Sequence, residues 1–407
     1  MAVPLEAGVT VSVPRDVAEA RRAFPGARQA IYMSICDRGL MADGTVRAVE
    51  QFLSDMQGAS RTKADHERVL PTTRQRFATL IGATPEEVAL VDNVSDGINT
   101  LAWSFPWKPG DRVVLCTALE HPNNLYPWLR LRRLGVELVD VPAVDGRIDP
   151  EAMIAAIDDR TRIVTCASVT FSPGFRTDLA RIGAACRTRD VFFLVDAVQS
   201  SGILHHDVAA EVIDGLATST SKGLLGLYGT GFLYCRRAWL DRLEPAYLSR
   251  TGAAVPTDTP SEMGAFEYAL RPDAGRFEVG SHNFAGAYAA NASLEMLLGI
   301  GPDRIEAHVL ALSRALSDGL AALGLPVFTP PDDRECSHII TVGVLGQGGH
   351  GTTTDARLQD WSAHLKQNGV VHTIRRGQVR FALHLYNNAE DIDRTLELSD
   401  RFLNGRG

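Results

Sequence analysis

The chain has 407 residues, of which 45% are hydrophobic and 22% are charged, and its formal net charge is -8 at pH 7. A chain of this length favours two domains, and the composition is typical of a globular protein. The negative charge argues against a nucleic-acid partner, and no apolar run approaches the roughly 18 residues of a membrane span.

The opening segment and the cysteines bear on the compartment in which the protein works. Residues 1–15 lack the basic and apolar regions of a secretory signal. The cysteines show neither a CxxC motif nor paired spacing; they are residues 36, 116, 166, 186, 235 and 336. This pattern favours reduced thiols over a disulfide framework or a zinc site, so we expect a cytoplasmic protein without a bound metal.

Short apolar runs alternate with helical patterns between residues 88 and 233. Strands are predicted at residues 88–92, 112–116, 136–141, 161–167 and 191–196, and helices at residues 96–104, 125–134, 150–157 and 179–189. This alternation predicts a mainly parallel sheet covered on both faces, in which ligands bind beyond the carboxyl ends of the strands. The polar side chains at or just past such ends are Asn93, His121, Thr170, Asp196 and Lys222.

A second pattern follows residue 281 and predicts a smaller α+β unit. Helices are predicted at residues 285–298, 303–323, 354–368 and 388–402, and strands at residues 338–344, 370–374 and 379–385. Residues 249–273 are rich in Pro, Gly and Thr and predict a long loop near the site or near a subunit boundary.

A strand-end acid and a loop lysine stand out in this layout. The apolar run at residues 191–195 delivers Asp196, and Lys222 follows in a loop of small hydroxyl residues and glycines. Such a pair suits pyridoxal phosphate (PLP), because a lysine can hold the cofactor as an imine while an acid keeps the pyridine nitrogen protonated. Both features are common in α/β proteins, so the pair alone does not decide the function.

Motifs around these residues resemble the fold-type I PLP enzymes, in particular the class V aminotransferase and cysteine desulfurase family. Asp196-Ala-Val-Gln199 is similar to the family's D-x-x-Q, which implies that Gln199 binds the phenolic oxygen of the cofactor. Residues 218–222 resemble the segment that ends in the cofactor-binding lysine. Residues 120–128 resemble E-H-x-x-N…P-W, which implies that His121 stacks over the pyridine ring.

The resemblance also implies a phosphate site at the start of a helix. There, Val94, Ser95 and Asp96 would meet the phosphate with free N–H groups and the positive end of the helix dipole. Further cofactor contacts are implied for Ser219, Ser221 and Thr170. From the local sequence alone, a helix cap that needs no ligand explains Ser95 better than a phosphate contact does.

Two further segments imply a shared active site and a substrate clamp. Residues 276–281 are similar to the family's R-F-E-x-G-[ST], in which the last residue reaches the phosphate of the neighbouring subunit. Ser281 therefore implies a homodimer with active sites shared across the interface. Arg380 matches the arginine that binds the substrate α-carboxylate, and Phe171 is expected on the substrate side.

The chain also departs from the desulfurase pattern. Residues 371–379 contain no cysteine, although desulfurases carry their nucleophile just before this arginine. Phe171 stands where desulfurases have Asn, which resembles the isopenicillin N epimerase-like and C–S lyase-like branches. Ser221 replaces the His or Tyr that precedes the lysine in many relatives. A persulfide-forming desulfurase is therefore not expected.

These observations predict an α/β protein of PLP fold type I. Its expected parts are an N-terminal arm (residues 1–45) that packs with the small domain, a large PLP-binding domain (46–284) and a small C-terminal domain (285–407). The expected activity is a lyase acting by β-elimination, or an aminotransferase, at the α-carbon of an amino acid. Lys222, His121 and Asp196 are the predicted catalytic residues.

Two alternatives remain at this point. An amino-acid epimerase of the same fold would share every residue named above. A nicotinamide-dependent oxidoreductase is a remote alternative, since residues 346–351 (Gly-Gln-Gly-Gly-His-Gly) form a literal G-x-G-x-x-G.

Overall fold

The computed structural model describes residues 14, 16–59, 61–254 and 268–405. Residues 255–267, within the predicted loop at 249–273, lie outside the described residues. The first elements are α1 (Val17–Arg22), α2 (Gly26–Gln29), β1 (Ile31–Tyr32), α3 (Asp43–Gln57), α4 (Lys63–Glu67) and α5 (Val69–Leu80).

The central region carries the alternating strands and helices. Its elements are β2 (Val88–Val91), α6 (Val94–Ser104), β3 (Arg112–Leu115), α7 (Tyr126–Leu131), β4 (Glu137–Asp140), α8 (Pro150–Ala155), β5 (Thr161–Ala167), α9 (Leu179–Thr188), β6 (Phe192–Asp196), β7 (Gly215–Ser219), β8 (Gly231–Cys235), α10 (Arg237–Leu240), β9 (Ala253–Ala254), β10 (Ala269–Leu270) and α11 (Phe284–Ile300). Short 3-10 helices cover Pro85–Glu87, Pro122–Asn124, Arg132–Leu134 and Ala274–Phe277.

A seven-stranded sheet with the order β2-β8-β7-β6-β5-β3-β4 organises this region. Strands β3 to β7 pair in parallel, and β8 is antiparallel to both of its neighbours. Strands β2, β6, β7 and β8 are buried along their whole length, because helices cover both faces of the sheet. The carboxyl ends of the parallel strands thus meet at one edge, where the sequence predicts the site.

The last part of the chain forms the smaller unit. Its elements are α12 (Pro302–Ala322), β11 (Val327–Phe328), a 3-10 helix (Asp333–Glu335), β12 (Ile339–Val342), α13 (Ala356–Gln367), β13 (Val370–Val371), β14 (Thr373–Arg375), β15 (Gln378–Ala382) and α14 (Ala389–Leu403). An antiparallel sheet with the order β11-β12-β15-β14 carries α12, α13 and α14. Helix α11 leads into this unit from the large sheet and packs against α3 and α5.

The N-terminal segment joins the smaller unit. Strand β1 pairs in parallel with β13, and Ser34 bridges to Ala382 at the end of β15. The Arg21 guanidinium pairs with Asp391 at the start of α14, with 2.8 Å between Nη1 and Oδ2. These contacts attach residues 16–45 to the smaller unit, whereas the predicted arm at residues 1–45 and the domain boundaries at residues 45 and 284 stay predictions.

The α/β architecture predicted from the sequence is confirmed, and each predicted strand and helix has a counterpart within a few residues. Helices α3 to α5 had not been assigned. Residues 346–351 form a loop before α13, between the antiparallel strands β12 and β15. A dinucleotide fingerprint needs a parallel βαβ unit, which this loop does not have. Within the described part of the chain, no helix has the length and apolar character that crossing a membrane requires.

Candidate active site

The start of α6 lies against the end of β7. Asn93 caps the helix, since its side chain accepts a hydrogen bond from the Asp96 N–H at 3.0 Å. The Ser219 hydroxyl accepts one from the Val94 N–H at 2.8 Å. The Val94 side chain is buried, and the Ser95 hydroxyl has no hydrogen-bond partner among the described residues. The N–H groups of Val94 and Asp96, which the sequence predicted to be free for a phosphate, are therefore bonded within the protein, and the Ser95 hydroxyl is what remains available at a helix end that favours an anion.

The ring of His121, which follows β3, contacts Phe171. The two ring centroids lie 5.5 Å apart with an interplanar angle of 88°. The His121 Nδ1 accepts a hydrogen bond from the Asn123 N–H at 3.2 Å, so the proton of the neutral ring is on Nε2. Burial, followed by the positive charge of Lys222, lowers the pKa of His121 to about 4. The imidazole is therefore neutral near pH 7 and donates from Nε2.

A buried polar network behind this histidine had no role in the sequence interpretation. The Glu120 carboxylate accepts hydrogen bonds from Asn124 Nδ2 at 2.7 Å and from the Ala167 N–H at 2.8 Å. Asn124 Oδ1 accepts from Trp128 Nε1 and from Thr165 Oγ1, both at 3.1 Å. Burial raises the pKa of Glu120 to about 8. The network connects the loop that carries His121, called the histidine loop below, to β5. In the sequence, the E-H-x-x-N motif at residues 120–124 was the feature that could have indicated this network.

Asp196 and Gln199 lie beyond the end of β6. Asp196 is 3% exposed, and its Oδ1 accepts a hydrogen bond from the Val198 N–H at 3.0 Å. Burial raises the pKa of Asp196 to about 6, against the opposing charge of Lys222. Gln199 is 5% exposed, yet its Oε1 has no hydrogen-bond partner among the described residues. A buried amide in this state is suited to binding a polar ligand atom.

Thr170 closes the turn that carries Phe171. Its Oγ1 accepts hydrogen bonds from the N–H groups of Gly174 at 3.1 Å and Phe175 at 3.2 Å. Only the hydroxyl proton remains for a ligand, so the main role of Thr170 in this structure is to shape the turn.

The loop that carries Lys222 is held on both sides of the lysine. The Ser221 carbonyl accepts a hydrogen bond from the Gly39 N–H at 2.8 Å, and the Gly223 carbonyl lies 2.8 Å from His384 Nε2. Neither the Lys222 amine nor the Ser221 hydroxyl has a hydrogen-bond partner in the described part of the chain. Burial lowers the pKa of Lys222. The backbone is thus fixed while the amine is free to move.

Two buried histidines of the smaller unit also lie at this site. His384 Nδ1 accepts a hydrogen bond from the Leu385 N–H at 2.6 Å, so its Nε2 carries the proton that Gly223 accepts. His338 has no partner for either ring nitrogen within the described residues, and burial lowers its pKa to about 3. Neither residue had a signal in the sequence, because a single histidine beside a strand is common.

The Arg380 guanidinium is fixed across the cleft. It is 2% exposed, and its Nε donates to Thr373 Oγ1 at 3.1 Å. Its Nη1 donates to the carbonyl of Phe171 in the large domain. No carboxylate of the described residues lies within 4.0 Å of it. A buried guanidinium without an acidic partner is a strong binding group for a substrate carboxylate.

Ser281 lies apart from these residues. It is exposed, and its hydroxyl accepts a hydrogen bond from Lys63 Nζ at 3.4 Å. It lines a groove together with Asp96 and Tyr247. Within one chain, no hydrogen bond between described residues joins Ser281 to the other predicted site residues.

Comparison with known proteins places this geometry in a family. The aminotransferase class-V family model matches residues 41–395. A probable cysteine desulfurase of Methanothermobacter thermautotrophicus is 30% identical over 397 residues, which cover 92% of this chain and 95% of the relative. The uncharacterized aminotransferase YcbU of Bacillus subtilis is 28% identical over 377 residues, which cover 93% of this chain and 95% of the relative.

Solved structures show the same fold. The cysteine desulfurase from Thermococcus onnurineus has a TM-score of 0.83 and 24% identity, and the match covers 98% of this chain and 100% of that one. The cystine C–S lyase C-DES has a TM-score of 0.80 and 21% identity, with 93% and 99% covered.

The fold and these relatives together define a PLP-dependent enzyme. The chain belongs to the class V aminotransferase family. The sequence-based predictions of family and cofactor are thereby confirmed. The residues present also fit PLP, since the unpaired Ser95 hydroxyl at the start of α6 suits a phosphate and the NH2 group of the Gln199 amide can donate to a ring oxygen.

Proposed function

We propose that this protein is a lyase or an aminotransferase that acts at the α-carbon of an amino acid. One observation carries the proposal: a free amine with a lowered pKa, Lys222, shares the site with the fixed, unpaired guanidinium of Arg380. The first is suited to a base and the second to a carboxylate clamp.

The cofactor contacts follow from the positions of the side chains. When bound, PLP supplies a ring that accepts the electron pair left at the α-carbon after proton removal. The carboxylate of Asp196 would pair with the pyridine nitrogen, the Gln199 amide with the phenolic oxygen, and the His121 ring with the face of the cofactor. The phosphate ligands would be the start of α6 (Val94, Ser95 and Asp96) with Ser219 and Ser221.

Lys222 and Arg380 would then act on different parts of the substrate, the α-proton and the α-carboxylate. Arg380, held by Phe171 and Thr373, orients the α-carboxylate without having to reorganise. Lys222 Nζ removes the α-proton, because burial favours the neutral amine that can accept one. The fixed backbone on both sides of the lysine keeps the amine within reach while its side chain rotates.

The fate of the α-carbon distinguishes the candidate reactions. Arg375 pairs with Gln378, so β14 and β15 are joined by the tight turn of Arg376 and Gly377 and no cysteine-bearing loop lies between them. This supports a reaction that needs no protein thiol. We put β-elimination first, because it requires only the base and a leaving group on the substrate.

We also propose that the active protein is a homodimer. Two large side chains in the groove that Ser281 lines are exposed in the single chain, Tyr247 at 69% and Val279 at 58%. Covering this surface with a second copy would remove apolar area from water and would place Ser281 at the partner's site. Sedimentation of the PLP-loaded protein tests this, and a monomer that retains full activity would contradict it.

The central experiment is an absorbance spectrum of the PLP-loaded protein, followed by incubation with single amino acids. Lys222→Ala should lose the visible band of the bound cofactor and all measurable turnover, whereas the exposed-lysine control Lys366→Ala should keep both. A band that survives in Lys222→Ala would contradict the lysine assignment. A colourless protein that cannot be loaded with PLP would overturn the whole proposal.

Product analysis assigns the reaction. Release of ammonia and a 2-oxo acid from a substrate with a leaving group shows elimination. Transfer of the amino group to an added 2-oxo acid shows transamination. Loss of enantiomeric purity without either product would instead show epimerisation.

A further inference from the structure

The hairpin that carries Arg380 has a second arginine on the same face. Thr373 pairs with Arg380 and Arg375 pairs with Gln378 across β14 and β15. Because side chains alternate along a strand, all four of these residues lie on one face, and Ile374 with Val379 lies on the other. The two guanidinium groups are therefore diagonal neighbours, with Cα atoms about 7–8 Å apart.

Arg375 is partly buried, with little to balance its charge. Its side chain is 16% exposed, and its Nη1 donates to the carbonyls of Ile374 at 2.8 Å and His350 at 3.3 Å. Its acidic neighbour is Asp37, whose Oδ1 lies 3.9 Å away and whose side chain is 59% exposed. An ion pair so long and so exposed contributes little, and a better-placed anion can replace it.

The face that holds both arginines is turned towards the active site. Arg380 reaches the carbonyl of Phe171, whose ring contacts His121. The charges of Arg380 and Arg375 both act on His121 and on the buried thiol of Cys36. One site thus contains two like charges on neighbouring positions, an arrangement that is unfavourable until anions compensate it.

We propose that Arg375 binds a second anionic group of the substrate, so that the enzyme selects amino acids with a negatively charged side chain. The inference rests on the proposed function, in which Arg380 takes the α-carboxylate. A carboxylate, sulfonate or phosphonate on the side chain would fit, since each offers oxygen acceptors to a planar guanidinium.

The test measures binding and turnover with matched amino acids. PLP-loaded protein is titrated with L-aspartate, L-glutamate and L-cysteate, and with the neutral L-asparagine and L-glutamine, by the change in its visible spectrum and by kcat/KM. We expect the anionic members to be preferred by about 10- to 100-fold, as for a charge-assisted bidentate contact. Arg375→Gln should abolish this preference, and the exposed control Arg357→Gln should keep it.

A second measurement needs no variant and guards against misfolding of Arg375→Gln. The dicarboxylates succinate and glutarate should inhibit the wild-type enzyme about tenfold more strongly than butyrate and pentanoate of equal chain length. Equal inhibition would overturn the proposal, as would a preference that survives in Arg375→Gln. If neutral amino acids react and acidic ones do not, this inference falls and the proposed function stands. If no amino acid changes the spectrum of the loaded protein, the proposed function falls and this inference with it.

Discussion

The lysine loop and the arginine hairpin face each other across one site but are held in opposite ways. The lysine loop (residues 220–226) is fixed through its backbone, and the Lys222 amine is unbonded among the described residues. The arginine hairpin (residues 373–380) is fixed through a side chain, because Arg380 donates to Phe171 and to Thr373. The contrast suits the roles proposed for them: Lys222, the proposed base, has to move, whereas Arg380, the proposed carboxylate clamp, gains from being rigid.

The two regions are also connected. His384 lies four residues after Arg380 and donates to the carbonyl of Gly223, next to Lys222. The arm adds a second link, from Gly39 to Ser221. A shift of the smaller unit would therefore move the clamp and the base together. Under the proposed function, these two links would keep the base and the clamp in one geometry at the α-carbon.

Arg380→Lys is expected to have the largest effect on activity. A lysine cannot keep both hydrogen bonds of Arg380 and also bind a carboxylate through two N–H groups. Losing one partner of a buried charge pair costs roughly 2–5 kcal/mol, so kcat/KM should fall by about 30- to 3,000-fold. The loss should appear mainly in KM. The visible band of the bound cofactor should remain, since Arg380 is not proposed to touch PLP. Steady-state kinetics with an unchanged spectrum would support this role, and a lost band would contradict it.

His384→Ala tests the link between the regions and is expected to have the next largest effect. It leaves the buried Gly223 carbonyl without its donor, which costs about 1–3 kcal/mol of stability. We expect kcat to fall roughly tenfold with KM little changed, because the lysine is displaced while the clamp is intact.

His384→Gln is the matched control, since its Nε2 can donate to the same carbonyl. Recovery of kcat in this variant would show that the hydrogen bond positions the lysine. An alanine variant as active as the wild type would show that the arm alone holds the loop.

The sequence was sufficient to predict the residues of the lysine loop, but not how the smaller unit is positioned against that loop. Asp196 and Lys222 were predictable because apolar strand runs and short loops fix where they emerge. Their position relative to His384 was not, because it depends on how the smaller unit docks, which local patterns do not encode. Both Arg375 and Arg380 are visible in the sequence as arginines on neighbouring predicted strands. That their side chains share one face becomes clear only once the register of β14 and β15 is known.

Thr373→Val tests whether the hydrogen bond from Arg380 to Thr373 fixes the guanidinium, because valine has nearly the same shape as threonine. Valine removes the oxygen that accepts from Arg380 Nε, while the bond to the Phe171 carbonyl remains. One lost hydrogen bond to a charged group predicts an increase of about tenfold in KM with kcat nearly unchanged. Thr373→Ser, which keeps the oxygen, is the control. An equal loss in both variants would attribute the effect to packing.

The smallest expected effect concerns Glu120, which fixes the histidine loop between the two regions. Burial raises its pKa from 4.5 to about 8, so between these values the folded state binds more protons than the unfolded chain. Its contribution to stability is therefore present at low pH and is lost as the pH rises through about 8. Glu120→Gln cannot titrate. The apparent Tm of the wild type relative to this variant should thus be higher near pH 5 than near pH 8.5.

The size of this effect is limited by the geometry of the carboxylate. Both oxygens accept hydrogen bonds, from Asn124 and from Ala167, and these favour the ionised form against the burial that disfavours it. A Tm difference that rises with pH instead would show that the hydrogen bonds prevail and that Glu120 is ionised in the native protein. In that case the histidine loop would be held by a buried charge, and the site would contain an anion able to offset part of the positive charge of Lys222 and Arg380. Melting curves of the two proteins across this pH range decide between the two electrostatic arrangements.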